Sequence, residues 1–259
     1  CFYSMPDKVK WIIEIATSDY ATTRSAVEGG ADRIELCDNL GEGGTTPSYG
    51  MLKICREKFS LPIYPMIRPR GGDFLYTGEE YAIMLEDTRV CRQTGCEGIV
   101  TGLLLKDGTI DIPRTAKLVE TAYPMGVTFH RAFDRCRDPF EAMEQLIELG
   151  CERILTSGQK PTAPEGVELI AALQQKAGGR IIILPGAGVR PDTIGMLAEK
   201  TGCTEFHASL RSKEQSPMDF IHPAFAESAE SYSNNAIEAG QVRALRTVLD
   251  ASAISSASS

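Results

Sequence analysis

Gly126-Val127-Thr128-Phe129-His130-Arg131-Ala132-Phe133-Asp134, then Phe140, Met143, Leu146 and Ile147, then Gly150 and Cys151-Glu152-Arg153-Ile154-Leu155-Thr156-Ser157, is the stretch that decides the fold. Two short β-branched apolar runs flank a segment whose apolar residues fall three or four apart, the spacing of a one-sided helix. Gly150 stands where a left-handed residue closes a helix before the next strand. The same strand–helix unit recurs along the chain. Its apolar runs are Trp11–Thr17, Ala31–Asp38, Pro62–Pro69, Cys96–Leu104, Gly126–Asp134, Cys151–Ser157, Arg180–Pro185 and Cys203–Ser209. Eight such units with short connections predict an α/β fold, a TIM (β/α)8 barrel of eight parallel strands with outer helices, rather than an open doubly wound sheet. Residues 1–250 form its single domain, and 251–259 reads as a frayed Ser/Ala tail. Segment 212–239, polar and weakly periodic, is too long for a plain connection and reads as a lid or an interface.

Composition limits the partners. The chain has 259 residues, with 27 Lys and Arg against 35 Asp and Glu, a formal net charge of −8. That balance works against binding a phosphate backbone or an anionic lipid surface, so no nucleic-acid or membrane partner is expected. No apolar run approaches the ~20 residues that span a bilayer, and residues 1–10 carry charges where a signal peptide would carry its apolar stretch. Eight cysteines without a CxxC read as free thiols in a reducing compartment, hence a cytoplasmic protein.

Strand faces of a parallel barrel lie under helices, so charged strand residues belong toward the interior or the C-terminal mouth. Parity groups Arg33, Glu35 and Cys37 on one face, Met66, Arg68 and Arg70 on another, Thr128 with His130, and Glu205, His207 and Ser209. Glu14 and Glu35 fit a satisfied buried ion network as well as a catalytic role. Arg68 and Arg70 at one strand end form a predicted anion clamp. Gly186 and Gly188, leading toward the next helix, with Ser157 and His207, supply further donors for a bound anion near the usual phosphate position of such barrels. His130 with Asp134 brings an imidazole and an orienting carboxylate to one strand end; with Glu35 they are the candidate acid–base residues. A soft Cu(I) ion wants thiolate, thioether or imidazole, which Cys37, Met66, His130 and His207 offer if they face one another.

Arg33-Ile34-Glu35-Leu36-Cys37, Glu42-Gly43-Gly44-Thr45-Thr46-Pro47-Ser48, Met66-Ile67-Arg68-Pro69-Arg70-Gly71-Gly72-Asp73-Phe74, Thr128 to Asp134, Leu155-Thr156-Ser157-Gly158 and Glu205-Phe206-His207 resemble the CutC copper homeostasis family, in order from Glu14 to Arg211. The resemblance implies a cytoplasmic TIM barrel that assembles into homo-oligomers and handles Cu(I), with Cys37 as the matching metal-binding position. Two functions follow: a copper-binding homeostasis protein centred on Cys37, or an enzyme acting on a small anionic, phosphorylated or carboxylated, metabolite at an Arg- and His-lined mouth.

Overall fold

The computed structural model describes residues 10–225 and 232–256; Cys1 and residues 257–259 of the Ser/Ala tail lie outside the described residues. Eight parallel strands, β1 Ile12–Thr17, β2 Arg33–Leu36, β3 Ile63–Pro65, β4 Gly98–Thr101, β5 Gly126–Phe129, β6 Arg153–Thr156, β7 Ile182–Pro185 and β8 Glu205–Ala208, fall inside the eight apolar runs. They form two halves, β3-β2-β1-β8 and β4-β5-β6-β7. A parallel bridge between Met66 and Val100 joins β3 to β4, and β7 packs against β8, which completes the TIM barrel.

Helices α1 Tyr20–Glu28, α2 Tyr49–Lys58, α3 Gly78–Gln93, α4 Ile112–Ala122, α5 Pro139–Glu148, α6 Val167–Ala177 and α7 Ile194–Thr201 alternate with the strands, and α8 Ala239–Ser256 follows. Asp19, Ser48, Thr77, Asp111 and Asp138 start helices by accepting first-turn backbone N–H groups, which would otherwise stay unpaired.

Strand parity divides the chemistry. Ile13, Ile15, Ile34, Ile63, Ile99, Val127, Phe129, Ile154, Ile183 and Phe206 pack in one core with Leu52, Met84, Leu118, Leu146, Leu173 and Leu197 of the helices. Each fully buried side chain of this kind contributes about 1.5–3 kcal/mol of transfer free energy. The alternate residues face the interior, where Ala16, Cys37, Tyr64, Met66 and Val100 form a small separate apolar cluster among charged groups.

Segment 212–239 holds structure that its polar composition concealed. Strand β9, Arg211–Gln215, pairs antiparallel with β10, Ser233–Ile237, from Arg211↔Ile237 to Gln215↔Ser233. Arg211 Nη1 donates to Leu40 O at 2.7 Å, which pins the ribbon to the loop after β2.

Candidate functional site

At the N-terminal end of the barrel the interior is closed by ions. Arg33 pairs with Glu14 and, at 2.8 Å, with Glu205; Arg153 pairs with Glu205 at 2.8 Å and Glu152 at 2.6 Å. The Tyr64 ring packs against both guanidinium groups, 5.4 Å from Arg33 and 5.2 Å from Arg153, and its hydroxyl donates to Glu152. Each charge is matched, as a buried charge must be.

One layer toward the mouth, pairing of β1 with β8 places Glu14 opposite His207. His207 Nδ1 lies 2.7 Å from Glu14 Oε1 and Nε2 lies 3.8 Å from Glu35 Oε2. Burial pulls the His207 pKa down, but the Glu35 charge and the Glu14 hydrogen bond outweigh it and raise it above the ordinary value. For Glu14, burial pushes upward and is overcome by Arg33 and His207, so its carboxyl titrates below the usual range. Glu35 is pushed up by burial, with the His207 charge offsetting only part of it. The Cys37 thiol donates to Glu35 Oε2 at 3.4 Å, leaving Glu35 Oε1 buried without a hydrogen-bond partner.

Across the interior, His130 Nδ1 accepts from the Ala132 backbone N–H at 3.1 Å. That bond assigns the proton of the neutral ring to Nε2, which is buried and unpartnered. Burial first, and then the Arg68 charge, push the His130 pKa down to about 3, so the ring is neutral near pH 7. Gly102 makes room for it: a Cβ there would sit 2.4 Å from His130 Nδ1. Phe74 packs on the imidazole at 4.9 Å between ring centroids, and the Arg68 guanidinium lies 5.1 Å over the same Phe74 ring.

These residues open into a cavity of about 1150 Å³ lined by Glu35, Arg68, His130 and His207 and roofed by the β9–β10 ribbon. Its rim carries Arg131, Arg135, Arg190, Arg211 and Lys213 against Glu42, Asp192 and Glu238. The cations on the rim follow β5, β7 and β8; their positions just beyond strand ends were the available signal, but strand parity selects inward positions and passes over loop residues.

Other sequence candidates are placed differently. Arg68 spends its terminal nitrogens on the carbonyls of Glu42, Gly44 and Gly72, at 2.9, 2.8 and 2.9 Å, and so ties down the glycine-rich loop after β2. Arg70 is outside the cavity lining, held by Glu80 of α3 and by Asp73, so the two arginines do not form one clamp. Asp134 does not reach the His130 ring nitrogens, because its carboxylate accepts from Ser157 N at 3.0 Å, Gln159 N at 3.1 Å and Arg131 Nε at 2.7 Å. Ser157 Oγ is likewise occupied, by Asp134 and Arg131. Gly188 borders the cavity, whereas Gly186 packs beneath His207, a Cβ there falling 3.3 Å from its ring.

Two sets of metal donors differ in softness. Cys37 Sγ and the Met66 methyl Cε both crowd Gly44, and the two side chains belong to one buried cluster. Burial, followed by the Glu35 charge, drives the Cys37 pKa well above its ordinary value, so the sulfur carries its proton. Glu14, Glu35 and His207 place ligand atoms within 4.8 Å of one another, an oxygen-rich set poorly suited to a soft ion.

Fold and site together define a (β/α)8 barrel with a buried acid–base cluster beneath a basic mouth. The chain belongs to the CutC family, whose pattern matches residues 11–212. It is 50% identical over 242 residues to a CutC family protein of Chromobacterium violaceum, covering 92% of this chain and 98% of the relative. It is 53% identical over 213 residues to one of Parabacteroides distasonis, covering 82% and 88%. A crystal structure from Streptococcus agalactiae, described as a copper homeostasis protein CutC, superposes with a TM-score of 0.74 at 32% identity over 77% of this chain and 98% of that one.

Proposed function

We propose that the protein is an enzyme that binds a small anionic metabolite, phosphorylated or carboxylated, at the barrel mouth and transforms it by acid–base chemistry. One observation carries this reading: Glu35 Oε1 and His130 Nε2, an acceptor and a donor, are buried without partners while both side chains line the same cation-rimmed cavity. An unpaired buried polar atom costs about 1–3 kcal/mol, and a ligand that matches both atoms removes that cost. Glu35 and His207 move protons, Glu14 positions His207, and the rim cations hold the anion. Arg68 acts by holding the loop after β2 and by its charge beside His130. A thermal-shift panel of inorganic phosphate, pyrophosphate and small phosphorylated carboxylates tests this. A ligand at a hundred times its Kd adds about 2.7 kcal/mol, or roughly 5–10 °C for a chain of this size. The shift should shrink in Arg190→Ala and Arg211→Ala, and no shift with any anion at millimolar concentration would overturn the reading.

A second reading, Cu(I) as cargo, rests on the buried Cys37 thiol in one cluster with Met66 and on the description of the Streptococcus agalactiae relative. The residues fit Cu(I) only after the Cys37 proton leaves, since the thiolate is the ligand. Anaerobic competition titration should then show Cu(I) binding that weakens in Cys37→Ala, is unaffected by Cys91→Ala and tightens with rising pH; equal affinity in both variants removes copper from this site.

The same reading places the protein in a reducing cytoplasm, consistent with seven buried free thiols among the described residues and no helix long and apolar enough to cross a membrane. Homo-oligomers are expected, with exposed Met218, Phe220 and Ile221 beside the ribbon as contact residues; light scattering of the native chain and of Phe220→Ser checks this.

A further inference from the structure

We propose that the barrel interior removes a proton from the carbon beside a carbonyl group and returns it to that carbon or its neighbour, the substrate being a small phosphorylated hydroxy-carbonyl compound. This rests on the anion-site reading above and specifies the chemistry of that same site.

Three features lead there. The first is the state of His130. A neutral imidazole whose Nδ1 is occupied by the Ala132 N–H can present only Nε2–H, and that donor has no partner within the protein. A neutral donor fixed in one tautomer suits a carbonyl oxygen that becomes an oxyanion, because the ring strengthens its hydrogen bond without first giving up a charge. Arg68, stacked over the Phe74 ring that also touches His130, adds a positive charge on that side. A histidine that presents a fixed N–H can polarise a carbonyl while a carboxylate lining the same cavity serves as the base, and His130 Nε2 and Glu35 Oε1 are the two unpartnered atoms placed for those roles.

The second is Glu35. Its Oε2 takes the Cys37 thiol hydrogen bond and faces His207, so that oxygen is engaged while Oε1 is buried without a partner. A desolvated carboxylate with one unengaged oxygen is a stronger base than a hydrated one. His207, hydrogen-bonded to Glu14 and 3.8 Å from Glu35 Oε2, places a positive charge beside that engaged oxygen.

The third is the mouth. Gly188, Arg190, Ser209, Arg211 and Lys213 line it beyond β7 and β8, the end where barrels of this architecture hold phosphate. An anionic tail fixed there leaves the rest of a three- to six-carbon chain extending down toward Glu35 and His130.

The step balances without a co-reactant. Glu35 Oε1 takes the proton as the C–H bond breaks. The C–H electron pair forms a carbon–carbon double bond, and the carbonyl π pair moves onto oxygen, giving an enediolate that accepts from His130 Nε2–H. Reprotonation of the same carbon by the Glu35 carboxylic acid regenerates the substrate with its proton exchanged. Reprotonation of the neighbouring carbon, with the hydroxyl proton passing between the two oxygens, gives the isomer.

The test uses the full chain in D2O with dihydroxyacetone phosphate, ribulose 5-phosphate and fructose 6-phosphate as probes. Proton NMR follows loss of the signal from the carbon beside the carbonyl, and calorimetry on the same solutions follows binding. Exchange by the native protein, falling about 10³-fold in Glu35→Gln and about 10²-fold in His130→Ala while binding persists, is the expected result. Binding without exchange in the native protein overturns the proton-transfer chemistry and leaves the anion site standing. Absence of binding by all three overturns the substrate class, and the phosphate and pyrophosphate shifts then decide separately whether the anion site exists.

Discussion

Replacing Glu14 by Gln removes a carboxylate that is fully buried and bonded on one side to Arg33 and on the other to His207. Removing one partner of a buried ion pair costs about 3–5 kcal/mol, because the charge left behind has lost its compensation. Arg33 keeps its 2.8 Å contact with Glu205, and the Gln carbonyl still accepts a hydrogen bond, so the lower end of that range applies. A loss of about 3 kcal/mol corresponds to roughly 6–12 °C in Tm for a chain of this length.

The pH dependence follows from the two groups involved. The folded Glu14 carboxyl titrates below its ordinary 4.5, burial being overcome by Arg33 and His207, so its contribution is complete above 4.5 and disappears as pH falls through the folded value. The folded His207 titrates above 6.5, burial being overcome by the Glu35 charge and the Glu14 hydrogen bond, so its contribution is complete below 6.5 and is lost as pH rises through the folded value. The native protein should therefore exceed Glu14→Gln in stability by the widest margin between these two values, with the margin narrowing on both sides. Urea denaturation of both proteins at pH 3, 5.5, 7.5 and 9 measures it. A margin under about 1 kcal/mol at pH 5.5, the scale of a solvent-exposed pair, or one that widens toward acid, would refute a buried charged network at this layer.

Two more predictions concern the ends of the barrel. A Cβ at Gly98 would fall 2.0 Å from Tyr64 Cε1, and Tyr64 packs against Arg33 and Arg153 with its hydroxyl bonded to Glu152, so Gly98→Ala should cost about 1–3 kcal/mol through overpacking; an unchanged Tm would show that the ring has room to move. At the mouth, Asp134→Asn puts an amide donor among the N–H and O–H groups of Thr156, Ser157 and Gln159. With charged hydrogen bonds worth about 1.5–3 kcal/mol each, chemical denaturation should show a loss of at least about 2 kcal/mol, and faster hydrogen exchange at residues 157–160 should accompany it; unaltered exchange would show that the carboxylate does not hold this loop.

The strands of the barrel were legible because each is marked by residues within its own run. Ile13, Ile15, Ile34, Ile99 and Ile183 are apolar on the helix-facing side whatever their partners, and the interior residues alternate with them. The ribbon β9–β10 was hidden for the opposite reason. Arg-Ser-Lys-Glu-Gln and Ser-Asn-Asn-Ala-Ile have almost no apolar alternation, and only their mutual pairing makes them strands.

Site residues divide along a similar line. Sequence by itself determined which side chains point inward from one strand, since parity is a local property: Glu35 with Cys37, Thr128 with His130, Glu205 with His207. It did not determine their partners. Register between β1 and β8 sets His207 against Glu14, the start of α3 brings Glu80 to Arg70 and turns it from the cavity, and the β6 exit captures Asp134 before it can reach His130. Tertiary structure decided these contacts because hydrogen bonds and charges act over a few ångströms between residues far apart in the chain. Packing of the strands and loops around them buries Cys37, His130 and Glu35, and that burial pushes the Cys37 pKa up and the His130 pKa down and leaves Glu35 Oε1 without a partner.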